Sequence, residues 1–597
     1  MVRVTHRAGI GQCAKNVDDP IFLLTNGAGV HFALGTRPTS RYQGGFLNIR
    51  GEIYKIIENV TPLGTAPVTE VRNYFWKVER NRGNLVEEFF LPAGVPAVVY
   101  RLSTIKEIEI DLDCRRIFDS RQFGRHYSIR EVNGYTAIEF TKRTDQREDP
   151  TDGKQEFRLW IVLNKPMQGQ SHFVSKSYAY DDERGTQPHE RYIFHAGTAK
   201  SDELIITFGS DLRKAIRMNE HTARELRRRM HESEKRGKEI AEFAVAKSAA
   251  SHGLATLYQR LPRLHGLYAG LYWFPQFWSR DELVCIRGLL LSGKQVIAKE
   301  LLWKHLHRIG RDGYLPNRFP PTVTKSIDAV GWLWKAVGNF LEARSCSRQE
   351  LQFLKRQLLR SLRGLRKKNS DFIRCGAQET WMDTIPPHRD GARIEIQCMF
   401  LNMLRLYANL CERTGNRRGK ADAILQERAF AEKVRKAFWQ QNYLKEGSED
   451  PTIRPNVFLA YIFYPQLLPL PFWEACFGVV LQRLWNDWGG LSTIDKSDGR
   501  FAPQYTGEND RSYHQGDSWF WINNLAAVAM HRVNAKKFAP YIKRILEAST
   551  YELLWNGIVG YSAELSSSAR LESKGCLAQA WSMATYLELV EELKVRR

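Results

Sequence analysis

Two periods of hydrophobic patterning divide the chain. Up to about residue 210, apolar and polar positions alternate in short runs: "FLNIRGEIYKIIENV", "EVRNYFWKVER", "NLVEEFFLP", "AVVYRLST", "EIEIDLDC", "YTAIEFTK", "EFRLWIVLN" and "ELIITFGS". A period of two sends successive side chains to opposite faces of a strand, and the β-branched and aromatic content suits a half-buried sheet. Gly, Asn, Asp and Pro separate the runs, as turns require. Many short strands at this spacing predict a β-sandwich over residues 1–211. Residues 212–240 are densely charged at helical spacing and read as a linker helix.

Beyond 240 the period becomes that of a helix. "SRQELQFLKRQLLRSLRGL" opens with a capping box, Ser347 to Glu350, and its leucines 351, 354, 358, 362 and 365 form one stripe. About twelve helical segments follow one another through residues 241–597. Their connecting loops are rich in Gly, Pro and aromatic residues, as in "GLYWFPQFWSRDE", "GRDGYLPNRFPPT" and "GRFAPQYTGENDRSYHQGDSW". A solenoid would show a fixed repeat of roughly 30 to 45 residues, and none is present. The expectation is a multidomain β + α chain, a β-sandwich followed by an (α/α)6 barrel of six helical hairpins.

Composition narrows the function classes. The length of 597 residues calls for more than one domain. The net charge of +22 raises nucleic acid as a partner. The basic runs are scattered, however, and the cations of 355–368 lie on the solvent side of a leucine-striped helix. With no zinc-finger, RNA-recognition or basic-zipper pattern, nucleic acid stays a minor alternative. Nine cysteines, at 13, 114, 285, 346, 375, 398, 411, 476 and 576, contain no CxxC pair, so neither a disulfide framework nor a zinc site is expected. No metal or cofactor is called for, and no feature bears on oligomeric state. "MVRVTHRAGIGQCAKNVDD" lacks the apolar core of a signal peptide, and no run of about 18 apolar residues occurs. A cytoplasmic protein with no membrane partner is the expectation.

The candidate chemistry sits in the loops of the helical half, where a site at the mouth of a barrel would draw it. "WFPQFWSRDE" surrounds Arg280 and Asp281 with Trp273, Phe274 and Trp278. A guanidinium fork beside a carboxylate suits vicinal sugar hydroxyls, although an Arg-Asp pair at a helix start also commonly serves as a cap. "ETWMDTIPPHRDGARIEI" sets Asp383 behind Trp381 and Met382, with Arg389, Asp390 and Glu395 close by. "YHQGDSWFW" carries His514, Gln515 and Trp519, and "YSAELSSSARLESKGCLAQAWSMATYLEL" carries Glu564 in a loop of small residues.

The ordered set of these motifs resembles the amylo-α-1,6-glucosidase family, the glucosidase half of glycogen debranching enzymes, over residues 20–595. It is strongest in "ETWMD", in "RDG" with "IEI", in "YHQG" and in "AQAWSMAT". "LLTNGAGVHFALGTRPTSRYQGGFL" resembles the opening of that family's β-sandwich, through Thr25, Asn26, Gly27, Gly35, Thr36, Arg41, Tyr42 and Gly44. The resemblance implies release of single α-1,6-linked glucose stubs from a glucan or oligosaccharide, with inversion. It implies Asp383 as general acid and Glu564 as general base. Arg280 and Asp281, with Trp278, would grip the non-reducing-end glucose. Asp328, Trp381, Arg389, Asp390, Glu395, His514, Gln515 and Trp519 would line the pocket.

Inversion needs one carboxyl group protonated and one ionised, on opposite faces of the sugar. Apolar neighbours should raise the pKa of Asp383. Ser562, Ser566 and Ser567 around Glu564 should keep it ionised and hold a water. The chain departs from the family pattern at Ser279, which replaces the Gly of WGRD, and at Asp517 and Phe520, where Thr and Pro are usual. Only "TIPPH" separates Asp383 from Arg389, a shortening that bears on the acceptor side. No glucanotransferase domain is expected. Three further readings stay open: another inverting exo-glucosidase, glucoamylase-like or trehalase-like, on the same barrel, a glycan-binding protein without turnover, and a basic nucleic-acid-binding protein.

Overall fold

The structure is a computed structural model that describes residues 4–7, 19–144, 154–240, 245–261, 264–322, 325–367 and 371–594, without the side chains of 4, 7 and 232–240. Cys13 lies outside the described residues. Two compact units emerge, Met1–His265 with Leu553–Gly560, and Gly266–Glu552 with Tyr561–Arg597.

In the first unit, 14 strands among the described residues form one hydrogen-bonded system. Two of them, β1 (Ala97–Arg116) and β2 (Glu190–Gly209), are 20 residues long and pair antiparallel. Their halves belong to different layers. Near Val99 and Leu102, β1 pairs with Leu85–Phe90, and from Ile108 to Arg116 it pairs with Glu52–Pro62. The β1–β2 ladder shifts register at His195/Gly197 and Ser201/Glu203, irregularities that let a strand bend from one layer to the next. "AVVYRLST" and "EIEIDLDC" are thus one strand. The exposed residues 103–105 interrupt the hydrophobic pattern while the backbone stays extended. Phe89 from one layer meets Phe22 and Phe32 from the other at 5.1 and 5.4 Å between ring centroids, joining the two faces into a sandwich core.

The helix Leu212–Ile240 lies on this sheet. Ala215 packs with Ala137, Trp160 and Val162, and Leu226 with Phe90, Val99 and Ile205. Asn219 donates from Nδ2 to the carbonyls of Val162 and Ile205, at 3.1 and 2.7 Å. The amino-terminal motif residues serve this unit. Asn26 donates to the carbonyls of Pro92 and Val95, at 3.0 and 2.7 Å. Gly44, at φ 104°, would carry a Cβ 2.2 Å from the Ile57 carbonyl oxygen, so no larger residue fits there.

In the second unit six helices form a closed ring: α1 (Ser279–Leu291), α2 (Ile327–Ala343), α3 (Ile394–Arg413), α4 (Asn456–Phe463), α5 (Phe520–Asn534) and α6 (Ala580–Glu592). Each packs on the next, and α6 returns to α1. Small residues permit the approach. A Cβ on Gly288 would lie 2.7 Å from the Ala584 Cα, and one on Gly331 would strike the Met399 side chain. Outer helices such as Gln295–Leu306, Arg348–Lys367, Arg417–Phe438 and Leu470–Leu484 alternate with the ring along the chain, completing an (α/α)6 barrel. The capping box on Arg348–Lys367 closes reciprocally: the Ser347 amide donates to Glu350 Oε2 at 2.8 Å, and the Glu350 amide to Ser347 Oγ at 3.2 Å. Its five leucines are all buried. Among the described residues, no helix is long and apolar enough to cross a membrane.

Candidate active site

The ring helices deliver the site from their first turns. Residues Trp278, Ser326, Arg393, Trp519 and Gln579 each stand in extended conformation just before α1, α2, α3, α5 and α6, and none caps its helix with a side chain. Backbone N–H groups at such helix starts, with the positive end of the macrodipole, favour acidic neighbours. The first turns carry Asp281, Glu282, Asp328 and Glu395.

Arg280 organises one side. Its Nε donates to Asp328 Oδ2 at 2.7 Å, its Nη1 to Asp383 Oδ2 at 3.2 Å and its Nη2 to Ser326 Oγ at 3.2 Å. Ser326 donates in turn to Asp328 Oδ1, at 2.6 Å. Asp281, on the same turn, accepts from Gln579 Nε2 at 3.2 Å. Burial pushes Asp281 up to about 7, Arg280 opposing and the charges of Asp383 and Asp328 assisting. Glu282 points elsewhere, into a buried cluster with Lys304, His305 and the Leu267 amide.

Two more carboxyl groups enter from loops. The side chain of Asp383 is 33% exposed and that of Glu564 is buried. Glu564 Oε1 accepts from the Tyr513 hydroxyl at 2.7 Å, and Oε2 from the Cys576 amide at 3.0 Å. Glu564 also senses the charges of Asp281 and Asp383, so the three acids share one electrostatic neighbourhood. Burial raises Asp383, with Arg280 pulling it back. Burial pushes Glu564 up to about 8 against its two donors. The serines therefore do not hold Glu564 ionised. The hydroxyls of Ser566 and Ser567 donate to the Arg570 carbonyl, and that of Ser562 to the Ala563 carbonyl.

An aromatic wall stands beside these acids. Trp381 meets His514, Trp519 and Trp521 edge-on at 5.5, 5.4 and 5.2 Å. His514 stacks on Trp519 at 5.1 Å, and Trp519 donates from Nε1 to the Tyr513 carbonyl. Burial lowers the His514 pKa well below its usual value, with Arg454, Arg389 and Arg280 assisting, so the imidazole is neutral. The Thr384 hydroxyl donates to the Pro386 carbonyl at 2.9 Å and lies 2.7 Å from His514 Nδ1. Nδ1 must then carry the proton, leaving Nε2 as an acceptor.

A family model described as amylo-α-1,6-glucosidase matches residues 254–588, more than half the chain. The chain belongs to that family. It is a glycoside hydrolase. Among solved structures, a bacterial glucoamylase complexed with acarbose superposes over 98% of this chain and 97% of its own, with TM-score 0.66 at 11% identity, a likeness of fold. A wild-type glycosidase covers 60% of this chain and 98% of its own, with TM-score 0.45 at 14% identity, too low to bear on the fold. No curated protein matches by sequence.

For this glycosidase the positions proposed from sequence fall into three settings. Arg280, Asp281, Asp328, Asp383 and Glu564 form the electrostatic centre described above. Trp278 is half-buried before α1, under the Arg318 guanidinium at 5.8 Å, while Trp381, His514 and Trp519 make the aromatic wall and Gln515 is buried beside His514. Arg389 and Glu395 instead close on each other. Arg389 binds Glu395 at 2.7 Å, Glu446 at 2.7 Å and Thr380 Oγ1 at 2.6 Å, all buried. Glu446 accepts from Asn456, which accepts from Trp381 Nε1 at 2.7 Å. This cluster braces the segment that carries Asp383. Asp390 is exposed, its carbonyl accepting from Arg393 at 2.6 Å.

Sequence reasoning missed Gln579, which stands before α6 as Trp278 does before α1; that shared position was its signal. It also missed Tyr513 as the partner of Glu564. Ser279, the departure from WGRD, donates to the Pro316 carbonyl at 2.6 Å. Asp517 accepts from Ser512 Oγ at 2.7 Å and is pushed up to about 8 by burial.

Proposed function

We propose that the protein is an inverting, exo-acting glucosidase that releases glucose from α-1,6-linked branch stubs of α-glucans. The observation that carries this reading is the pair Asp383 and Glu564, two carboxyl groups on separate loops whose charges interact, with Arg280 and Asp281 from α1 beside them. Asp383 is the general acid. It is the more open of the two, and burial favours its protonated form, while Arg280 holds the carboxylate left after proton donation. Glu564 is the general base, directed by the Tyr513 hydroxyl and the Cys576 amide, both of which stabilise the ionised form. Asp281, with Gln579 behind it, and Arg280 bind the hydroxyls of the terminal glucose, and Trp278 packs near its face. The shortened loop after Asp383 forms part of the acceptor side, with Thr384 tied to His514.

Burial is the main cause that raises both Asp383 and Glu564, the latter to about 8. Turnover requires one proton on the two groups. The test is incubation with α-1,6, α-1,4 and α,α-1,1 glucosides while following released glucose and its anomer by NMR. Release of β-glucose from the α-1,6 substrate is expected. Release from the α-1,4 or α,α-1,1 substrate alone would replace the branch-stub reading, and α-glucose as first product would overturn inversion.

A further inference from the structure

The helix Arg348–Lys367 borders a groove of about 780 Å³ lined by Arg311, Arg356, Arg360, Arg363 and Lys367, with Asp312 the single acid. Asp312 is paired with Lys325. Among the described residues, none of the five lining cations forms an ion pair or hydrogen bond. Positions 356, 360, 363 and 367 recur at helical spacing, a stripe about 16 Å long at 1.5 Å per residue. Arg311 comes from a separate loop, pressed against the helix where Gly313, at φ 81°, sits 2.8 Å (as a built Cβ) from the Arg360 carbonyl oxygen. A solvated helix face needs no second element closing over it. Here one does.

We propose that this groove binds phosphate monoesters on a glucan chain, holding the polymer at a distance from the bond being cut. The inference rests on the glucan-hydrolase reading above. Apart from Asp312, the charged side chains that line the groove are all donors, and guanidinium forks match phosphate oxygens; a neutral sugar would call for more acceptors and for ring faces as well. No aromatic ring lines it, which disfavours single-stranded nucleic acid, whose bases need stacking platforms. The volume suits an oligosaccharide-sized ligand. The groove also connects to the site. The loop bearing Arg311 continues into Leu315–Pro316, which pairs with Lys325–Ser326, and Ser326 accepts from Arg280.

The test uses the full chain, a phosphorylated amylopectin, the same polymer after enzymatic dephosphorylation, and a DNA duplex. Binding is read by calorimetry, and turnover of a neutral α-1,6-glucosyl oligosaccharide is followed in parallel. The wild type should bind the phosphorylated polymer at least about tenfold more tightly, as loss of charged hydrogen bonds implies. R356E/R360E/R363E, and the milder R311Q/K367Q, should lose that preference while turning over the neutral substrate normally. Equal binding of the two polymers, a preference that survives both variants, or tighter variant-sensitive binding of the duplex would overturn the proposal. Failure to release glucose from the neutral oligosaccharide would instead strike the proposed activity and leave the binding comparison standing.

Discussion

Two buried carboxylate clusters, one in each unit, show what burial does and does not decide. In the sandwich, Asp113 accepts from Arg115 at 2.7 Å, Arg125 at 2.9 Å and Arg191 at 3.4 Å. Burial pushes its pKa up, yet Arg115, Arg191 and Arg125 outweigh that and hold it far below the ordinary range. Glu58 beside it is likewise held down, burial being outweighed by Lys55 and Lys176. In the barrel, Asp281, Asp328 and Asp383 share the cation Arg280, and Asp281 and Glu564 rise to about 7 and about 8. Desolvation is common to both places; the supply of cations differs. A cluster with excess cations is locked in one charge state, and one short of cations keeps a proton available near neutral pH. The first braces a fold and the second suits acid–base chemistry.

The sharpest break of this comparison is removal of the exchangeable protons. Asp383→Asn and Glu564→Gln should each lower kcat by about 10²–10⁴, measured on the α-1,6 substrate. A substrate with an activated leaving group should partly rescue Asp383→Asn. It should not rescue Glu564→Gln, for which azide should stand in as nucleophile. Loss smaller than tenfold in either would remove that residue from the chemistry.

Stability should respond in opposite directions. Asp113→Asn strips charge from three buried guanidinium groups and should destabilise the sandwich by about 3–5 kcal/mol, seen in urea unfolding. A depressed folded pKa contributes stability above the unfolded value near 3.9, lost as pH falls through the folded value. Glu564 has the reverse sign. Its contribution is complete below about 4.3 and is lost as pH rises through about 8. Glu564→Gln should therefore raise Tm at pH 8 while abolishing turnover, and a lower Tm there would contradict the raised value.

The pH profile of kcat/KM should be a bell. Below the acid limb both carboxyls are protonated and the base is lost; above the alkaline limb, near pH 8, both are ionised and the acid is lost. A profile flat from pH 5 to 10 would break the two-carboxyl account. The smallest effect belongs to Tyr513→Phe, which removes one donor to Glu564. The alkaline limb should move to higher pH and activity at neutrality should fall by up to about tenfold, the worth of a single hydrogen bond to a charged group.

Much of the architecture was legible because it is local. The leucines of 348–367 and their capping box act within a few residues, and both appear as read. Alternation marked many of the strands, but the exposed residues 103–105 hid the continuity of β1, and Phe22–Thr25, Val30–Leu34, Arg125–Val132 and Gln168–Ser177 were not marked by it. The motif residues were legible as a set, but their partners were not. The resemblance implied that Arg389 lines the pocket, whereas its donors go to Glu395, Glu446 and Thr380.

By itself, then, the sequence determined the two periods, the order of many elements and the family motifs, since hydrophobic pattern and capping act over one or two turns. Only the tertiary structure decided what the acids of those motifs feel. Glu564 and Asp281 are 283 positions apart, Asp281 and Gln579 nearly 300, and closure of the α1–α6 ring brings them into one field. Local composition suggested that serines would keep Glu564 charged; their hydroxyls are taken by backbone carbonyls, and burial with neighbouring acids sets its proton instead. A pKa is a property of everything within Coulomb range in a medium of low polarizability, and that company is assembled only by the fold.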